Sequence, residues 1–444
     1  MSIFSGLYPS EHGIINWSKK SKKIPLLDDL KTNGYNVQGF TSFRFIKQLF
    51  QSSMEIECIG EDFGEYWDIN QHQVVNERTL KFLEDNRKNP FFLFYHHSAP
   101  HAPYRFPKKE LEKVKNNEDF MYYYQKLEYD RLINSMFPQF NNSDLNYIFK
   151  NDDEAKIHSS LIAKATTGMI KLEKDQAELI KYLYKKEVEF TDFLFGRIIA
   201  KLKDTNLQKN TIICFLADHG ELLAEKDKFG HANDYMLNSV LRVPCIIFHP
   251  ELKEKILVES NISQVNILPT ILEMIGVKLD VTIKKRSYWR EISEKKQIES
   301  IPIYSEGNFR IAVIKDNIKY VTDSKRKGQI IYFKDFLKNS FKLLPTLTDS
   351  TDELRNNFTQ FLVPYYKRIM GISKDEMYEI DTKNNIERHF LKPKTSLKKK
   401  YAKLIEDYYA MKQVDITEEL SEEELKIIKV RLEALGYLEK KQEK

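Results

Sequence analysis

Residues 210–221 read Asn-Thr-Ile-Ile-Cys-Phe-Leu-Ala-Asp-His-Gly-Glu, seven mostly apolar residues running straight into Asp218-His219-Gly220. A short apolar run without polar alternation is the pattern of a strand covered on both faces. In an open parallel sheet, ligands sit beyond the carboxyl ends of the strands. A strand that ends in Asp-His therefore delivers a carboxylate and an imidazole to the place where such a sheet does its chemistry. Gly220 lets the backbone turn sharply behind them. A hard carboxylate beside an imidazole suits Zn²⁺ or Mn²⁺ and does not exclude Ca²⁺. The plainer reading is an aspartate capping the next helix, with His219 at the surface.

Residues 90–104, Pro-Phe-Phe-Leu-Phe-Tyr-His-His-Ser-Ala-Pro-His-Ala-Pro-Tyr, follow the same grammar. An apolar strand leads to His96, His97 and His101, and Pro100 and Pro103 stiffen the loop around His101. His96 and His97 point to opposite faces of that strand, and each reads as a satisfied core or edge histidine rather than a ligand. Phe229-Gly230-His231 lies on a loop before a third apolar run at 243–248. An imidazole there can protonate a leaving group or hold an anionic ester, although a loop histidine is more often merely solvated.

Runs 91–95, 211–217 and 243–248 thus predict three buried parallel strands. Residues 24–31, stopped by Asn33-Gly34, predict a helix, followed by a strand at 35–40. Val188, Thr191, Phe195, Ile198 and Leu202 recur at helical spacing over 187–202. This order predicts an α/β fold, a doubly wound and mostly parallel sheet with helices on both faces. The polar, Tyr-rich stretch 105–182 reads as a helical insertion over one end of the sheet. After Gly276, runs 311–314 and 318–321 flank Asp316-Asn317, the pattern of antiparallel strands. Residues 1–280 therefore form the main domain and 281–444 a smaller C-terminal α+β subdomain. A capping box at Ser421-Glu424 opens a terminal helix carrying Leu425, Ile428, Leu432 and Leu435, stopped at Gly436.

The 444 residues allow about three domains, or one large α/β domain with additions. With 41% hydrophobic residues and 28 Phe, 24 Tyr and 3 Trp, the chain can bury a sizeable core and is not a disordered protein. Lys and Arg total 70 against 65 Asp and Glu, a surplus of +5 that does not support a nucleic-acid binder. The three cysteines, Cys58, Cys214 and Cys245, form no close pair in sequence and exclude a disulfide scaffold or zinc module. Cys214 and Cys245 lie inside apolar runs, where cysteine behaves as a small hydrophobe. No apolar run approaches the ~20 residues of a membrane span, and residues 1–13 lack the pattern of a signal peptide. The chain as written is thus expected in the cytoplasm, without a membrane-spanning segment; its oligomeric state is left open.

Ser5-Gly6, Tyr8-Pro9 and His12-Gly13 complete a set of motifs. Together with Pro100-His101-Ala102-Pro103-Tyr104, Ala217-Asp218-His219-Gly220-Glu221, Gly230-His231, Arg242-Val243-Pro244 and Leu268-Pro269-Thr270, they resemble the sulfatase family of the alkaline phosphatase superfamily. Met377-Tyr378-Glu379 and residues 434–438 resemble its closing features. The resemblance implies a metal-dependent hydrolase of sulfate, phosphate or phosphonate esters acting on a small-molecule or glycan substrate. It implies Asp218 and His219 as ligands of a divalent metal (Ca, Mn or Zn), and His101 and His231 as the catalytic histidines at the ester oxygens or leaving group.

The same resemblance places the nucleophile about nine residues before Ser5, and a pair of metal-binding aspartates earlier still. The sequence is accordingly expected to start late, to lack a nucleophile, to be inactive as written and to leave a gap in its sheet. Asp28-Asp29 lie on the polar side of a helix and do not replace the aspartates. Ser2, Ser5 and Ser10 have no evident base beside them. Where many sulfatases carry Gly-Lys-Trp-His-Leu-Gly, this chain has Gly39-Phe-Thr-Ser-Phe-Arg44, so only Arg44 offers substrate-binding charge and a phosphodiester or phosphonate becomes an option. Two other readings stand beside the hydrolase. One is a non-catalytic remnant acting as a binding or scaffold protein, and the other a phosphoester transferase acting on glycans or lipids.

Overall fold

A computed structural model describes residues 1–14, 19–59, 70–101, 174–225, 229–231, 235–307, 309–325, 367, 373–390, 392–419 and 421–422. Helix α1 (Pro25–Thr32) opens with proline at its first position, where the missing N–H costs nothing. It buries Leu26, Leu27 and Leu30 and ends at Gly34, whose φ of 82° needs a glycine. Leu27 and Leu30 are at most 1% exposed, and each such burial stabilises the fold by about 1.5–3 kcal/mol.

Strand β1 (Asn36–Thr41) runs parallel to β2 (Glu55–Cys58) on one side and to β3 (Phe91–His96) on the other. Helix α2 (Arg44–Phe50) links β1 to β2, and helix α3 (Asn70–Asp85) precedes β3. Alternation along β3 decides the layers. Phe92 and Phe94 pack with Phe4, Leu26, Leu27 and Leu272, the last from helix α5 (Ile267–Met274). Phe91, Leu93 and Tyr95 pack on the other face with Val75, Phe82, Ile198 and Leu202 from α3 and helix α4 (Lys174–Asp204). Helices thus cover both faces, as the patterning predicts. Of the 105–182 insertion, residues 105–173 lie outside the described residues, and 174–182 form the first turns of α4.

The second pair of strands departs from expectation. Strands β4 (Ile213–Leu216) and β5 (Cys245–Phe248) are antiparallel, with Leu216 opposite Cys245. A parallel return needs a crossover to the far end of the sheet. Here the chain stays at the carboxyl end of β4, where Leu222–Leu223 pairs with Phe229–Gly230 and the Gly220 N–H donates to the Val240 carbonyl at 2.8 Å. It re-enters from that end and so runs back the other way. Nor is β5 buried: Ile246 is 64% exposed, and Cys245 is exposed rather than a core hydrophobe. An unbroken apolar run carries no information on direction or on coverage. Strand β3 is an edge of one sheet and β4 of the other, although Ile213 shares the α3–α4 cluster with β3.

Further on lies a five-stranded antiparallel sheet of β6 (Ile303–Glu306), β7 (Arg310–Lys315), β8 (Ile318–Asp323), β9 (Glu376–Asp381) and β10 (Ile386–His389), in the order β10-β9-β8-β7-β6. Asp316 and Asn317 both take positive φ, 48° and 59°, as a two-residue hairpin turn demands. Helix α6 (Thr395–Tyr409) lays Tyr401, Ile405 and Tyr408 on Ile311, Val313 and Tyr320. Most of the expected terminal helix, residues 423–436, lies outside the described residues. Among the described residues no helix is long and apolar enough to cross a membrane.

Candidate active site

Four side chains singled out from sequence converge beyond the carboxyl ends of β3 and β4. The His219 and His231 rings stack with centroids 4.2 Å apart, and His101 meets the edge of His231 at 4.8 Å. Asp218 Oδ2 lies 3.6 Å from His219 Nε2. One residue that no sequence signal marks holds this end of β4. Gln264 donates through Nε2 to the carbonyls of Ala217 and Asp218, at 2.8 and 2.9 Å.

Each imidazole is oriented by what its other nitrogen touches. His219 Nδ1 lies 3.0 Å from the Gly220 carbonyl, which can only accept. In the neutral ring the proton therefore sits on Nδ1, and Nε2 keeps a lone pair beside the Asp218 carboxylate. His231 Nδ1 lies 3.2 Å from Glu221 Oε1, whose side chain is only 5% exposed. Burial works against the His231 charge, but the hydrogen bond and charge of Glu221, with Asp218 behind them, raise its pKa overall. Around Asp218 desolvation also opposes ionisation, yet His219 and then His96 outweigh it and hold the carboxyl below the ordinary range.

Glu221 stands in the Asp-His-Gly-Glu motif, but only the fold shows that it reaches back to His231. His96 behaves as its sequence suggests, with Nδ1 2.8 Å from Thr41 Oγ1, and it also feels Asp218 electrostatically. His97 turns to the other face, against Tyr95 and His72.

Other expectations need correction. Gly220 is not required for a left-handed turn, because its φ is not among the positive ones. It is required for space: a Cβ there would stand 2.0 Å from the Ser239 carbonyl oxygen. Ser2 does have an imidazole beside it, with Oγ 3.0 Å from His12 Nε2. His12 Nδ1, however, accepts the Ile14 N–H at 3.0 Å, so the neutral ring carries its proton on Nε2 and cannot act as a base toward Ser2. Ser5 accepts from the Leu7 N–H, and Ser10 donates to Met411 Sδ. Arg44 opens α2, beyond the carboxyl end of β1; its side chain lies outside the described parts.

For a metal ion, Asp218 and His219 Nε2 are chemically apt donors. Among the described residues no group of three or more His, Cys, Asp or Glu is arranged to hold an ion. Catalytic zinc takes roughly three protein ligands and calcium about six to eight oxygens, so the described donors do not by themselves fit a closed centre.

The fold and this strand-end cluster define a protein of the alkaline phosphatase-like α/β class. The family model for Sulfatase matches residues 1–277, and the chain belongs to that family. It is 26% identical over 302 residues to a sulfatase of Formosa agariphila, covering 65% of this chain and 55% of that protein. To arylsulfatase K of Canis lupus familiaris it is 25% identical over 444 residues, covering 91% and 78%. It spans about half the length of several curated relatives it matches. Among solved structures, one in complex with its substrate D-glucosamine-2-N,6-O-disulfate aligns with a TM-score of 0.52 at 17% identity, over 80% of this chain and 87% of that one. A phosphonate monoester hydrolase from Silicibacter pomeroyi aligns with 0.51 at 13%, over 82% and 86%. Both likenesses establish the fold. Sulfatases generally use a divalent metal.

Proposed function

We propose that these residues form the ester-binding and leaving-group side of a sulfatase-type hydrolytic site. The convergence of His101, His219 and His231 with Asp218, drawn from three separate stretches of chain, carries this reading. His231, turned by Glu221 so that its Nε2 faces away from the carboxylate, donates to an ester oxygen, and His101 flanks the same position. Such charge-assisted hydrogen bonds are worth about 1.5–3 kcal/mol each. Asp218 and His219 are the residues that would offer donors to a divalent cation, and the chemistry such an ion would supply is charge neutralisation at the ester. Sulfate esters of small molecules or glycans are the first substrate class. The absence of the Lys/His pair from residues 39–44 favours phosphate or phosphonate esters as the second.

Tungstate, a tetrahedral oxyanion, is the direct probe. Binding measured by calorimetry is expected to weaken at least about tenfold in both His101→Ala and His231→Ala, one such hydrogen bond's worth. Unchanged affinity in both variants overturns the site. Competition of sulfate against phenylphosphonate for the tungstate-bound protein ranks the two substrate classes.

The donor count leads to a second expectation. The 444-residue polypeptide assayed alone binds Mn²⁺, Zn²⁺ or Ca²⁺ weakly and turns over no aryl sulfate, since the described residues supply two donors and the imidazole beside Ser2 cannot serve as its base. Turnover that disappears in Asp218→Ala refutes this and shows that the nucleophile lies within these residues.

A further inference from the structure

Cys214 and Cys245 are 31 positions apart in sequence, and neither takes part in the site above. The β4–β5 register places Cys245 opposite Leu216 and Cys214 opposite Ile247. Side chains alternate across a strand, so Cys214 shares a face with Leu216, and Cys245, opposite Leu216, lies on that face too. The thiols form a diagonal pair, near enough for each to influence the other's ionisation. Cys245 is open to solvent and Cys214 half-buried, and both are free thiols.

We propose that Cys214 and Cys245 form a two-thiolate site for a soft, two-coordinate metal ion of the Cu(I) class. Three considerations select this occupant. Diagonal neighbours across antiparallel strands have Cα atoms about 7–8 Å apart, whereas a disulfide rarely bridges more than about 7 Å without moving the backbone. An ion inserted between the sulfurs removes that shortfall, since two metal–sulfur bonds of about 2.3 Å span roughly 4.6 Å end to end. No third His, Cys, Asp or Glu joins the pair among the described residues, so ions that need three or four protein ligands are not served. Thiolate softness then selects Cu(I) over harder cations.

Binding is a ligand exchange without redox change: both S–H protons leave to solvent, and each sulfur gives an electron pair to the ion. The arrangement is graded for this. The neighbouring Cys214 thiol, the largest influence, lowers the pKa of the exposed Cys245 thiol, so Cys245 ionises first and meets the ion. Cys214 is shifted upward by the neighbouring Cys245 thiol and by burial, and it surrenders its proton only when the ion arrives.

The test is anaerobic titration of the full chain with Cu(I) against a chromophoric Cu(I) chelator, following the near-ultraviolet thiolate-to-copper charge-transfer band. One ion per chain is expected, with release of up to two protons. Cys214→Ser and Cys245→Ser each abolish the band and weaken binding at least tenfold, while Cys58→Ser, at a buried position outside the pair, leaves both unchanged. The proposal is overturned if the double variant Cys214→Ser/Cys245→Ser retains the band, or if Cys58→Ser removes it. Both β-strand variants keep the size of cysteine, and tungstate affinity read in parallel reports whether the strand end still folds. Failure of the site at 101, 218, 219 and 231 leaves this test untouched.

Discussion

Replacing Gly220 with alanine is expected to cost at least about 3 kcal/mol of stability and to abolish tungstate binding. Overpacking a rigid interior costs about 1–3 kcal/mol and sometimes more. Here the added Cβ meets backbone rather than a movable side chain, 2.0 Å from the Ser239 oxygen and 3.0 Å from the Ser239 carbonyl carbon. Neither partner has room to yield. The Gly220 N–H is bonded to the Val240 carbonyl, and the neighbouring Asn238 is held by the buried Lys319 at 3.2 Å. On the other side Gln264 pins the carbonyls of residues 217 and 218. Relief can come only by moving Asp218 and His219 away from His231. Gly196 supplies the control: it lies inside α4, and among the described residues no atom lies within 4 Å of where its Cβ would stand. Gly196→Ala should therefore leave binding intact and stabilise the helix by up to about 1 kcal/mol. Urea denaturation of both variants, paired with calorimetry, checks this; equal midpoints for Gly220→Ala and the parent protein contradict the close-approach reading.

Acid is expected to destabilise the chain steeply through two histidines behind the site. His72, on α3, and His97, just past β3, have ring centroids 5.4 Å apart, and the Nδ1 atoms of both are buried without a hydrogen-bond partner among the described residues. Ser98 Oγ lies 3.5 Å from His72 Nε2. Burial first, and then the neighbouring His96, lowers the His72 pKa to about 3; His97 is driven well down by burial, His72 and His96. A folded pKa below the unfolded one means that protons bind preferentially to the unfolded chain as pH falls. The stabilisation is therefore complete above the unfolded value of about 6.5 and drains away below it. By pH 4.5, two units into that window, His72 alone removes on the order of 3 kcal/mol, and His97 acts in the same direction. Against a typical total of about 5–15 kcal/mol this is a large fraction. Urea midpoints between pH 7.5 and 4.5 should fall steeply in the parent protein and less steeply in His72→Phe, whose ring takes no proton and which leaves the His97 contribution in place. Parallel slopes for the two proteins would show that His72 is not among the titrating groups.

The amino-acid sequence alone determined the local elements and the chemical inventory of the site. Pro25 with Leu26, Leu27 and Leu30 specifies α1, and Asp316-Asn317 specifies the β7–β8 hairpin, because propensity and turn chemistry act between near neighbours. The placement of Asp218-His219 at a strand end, and of His101 past another, follows from short apolar runs that stop abruptly. Tertiary structure alone decided the rest, since those features depend on which distant segments meet. That β4 and β5 run antiparallel follows from a chain path that never crosses the sheet, which a uniformly apolar run cannot record. Glu221 reaching His231, the Ser239 carbonyl crowding Gly220 and the facing thiols of Cys214 and Cys245 all arise from backbone register and close approach. Those quantities are set by packing across the whole chain, and no spacing along it reveals them.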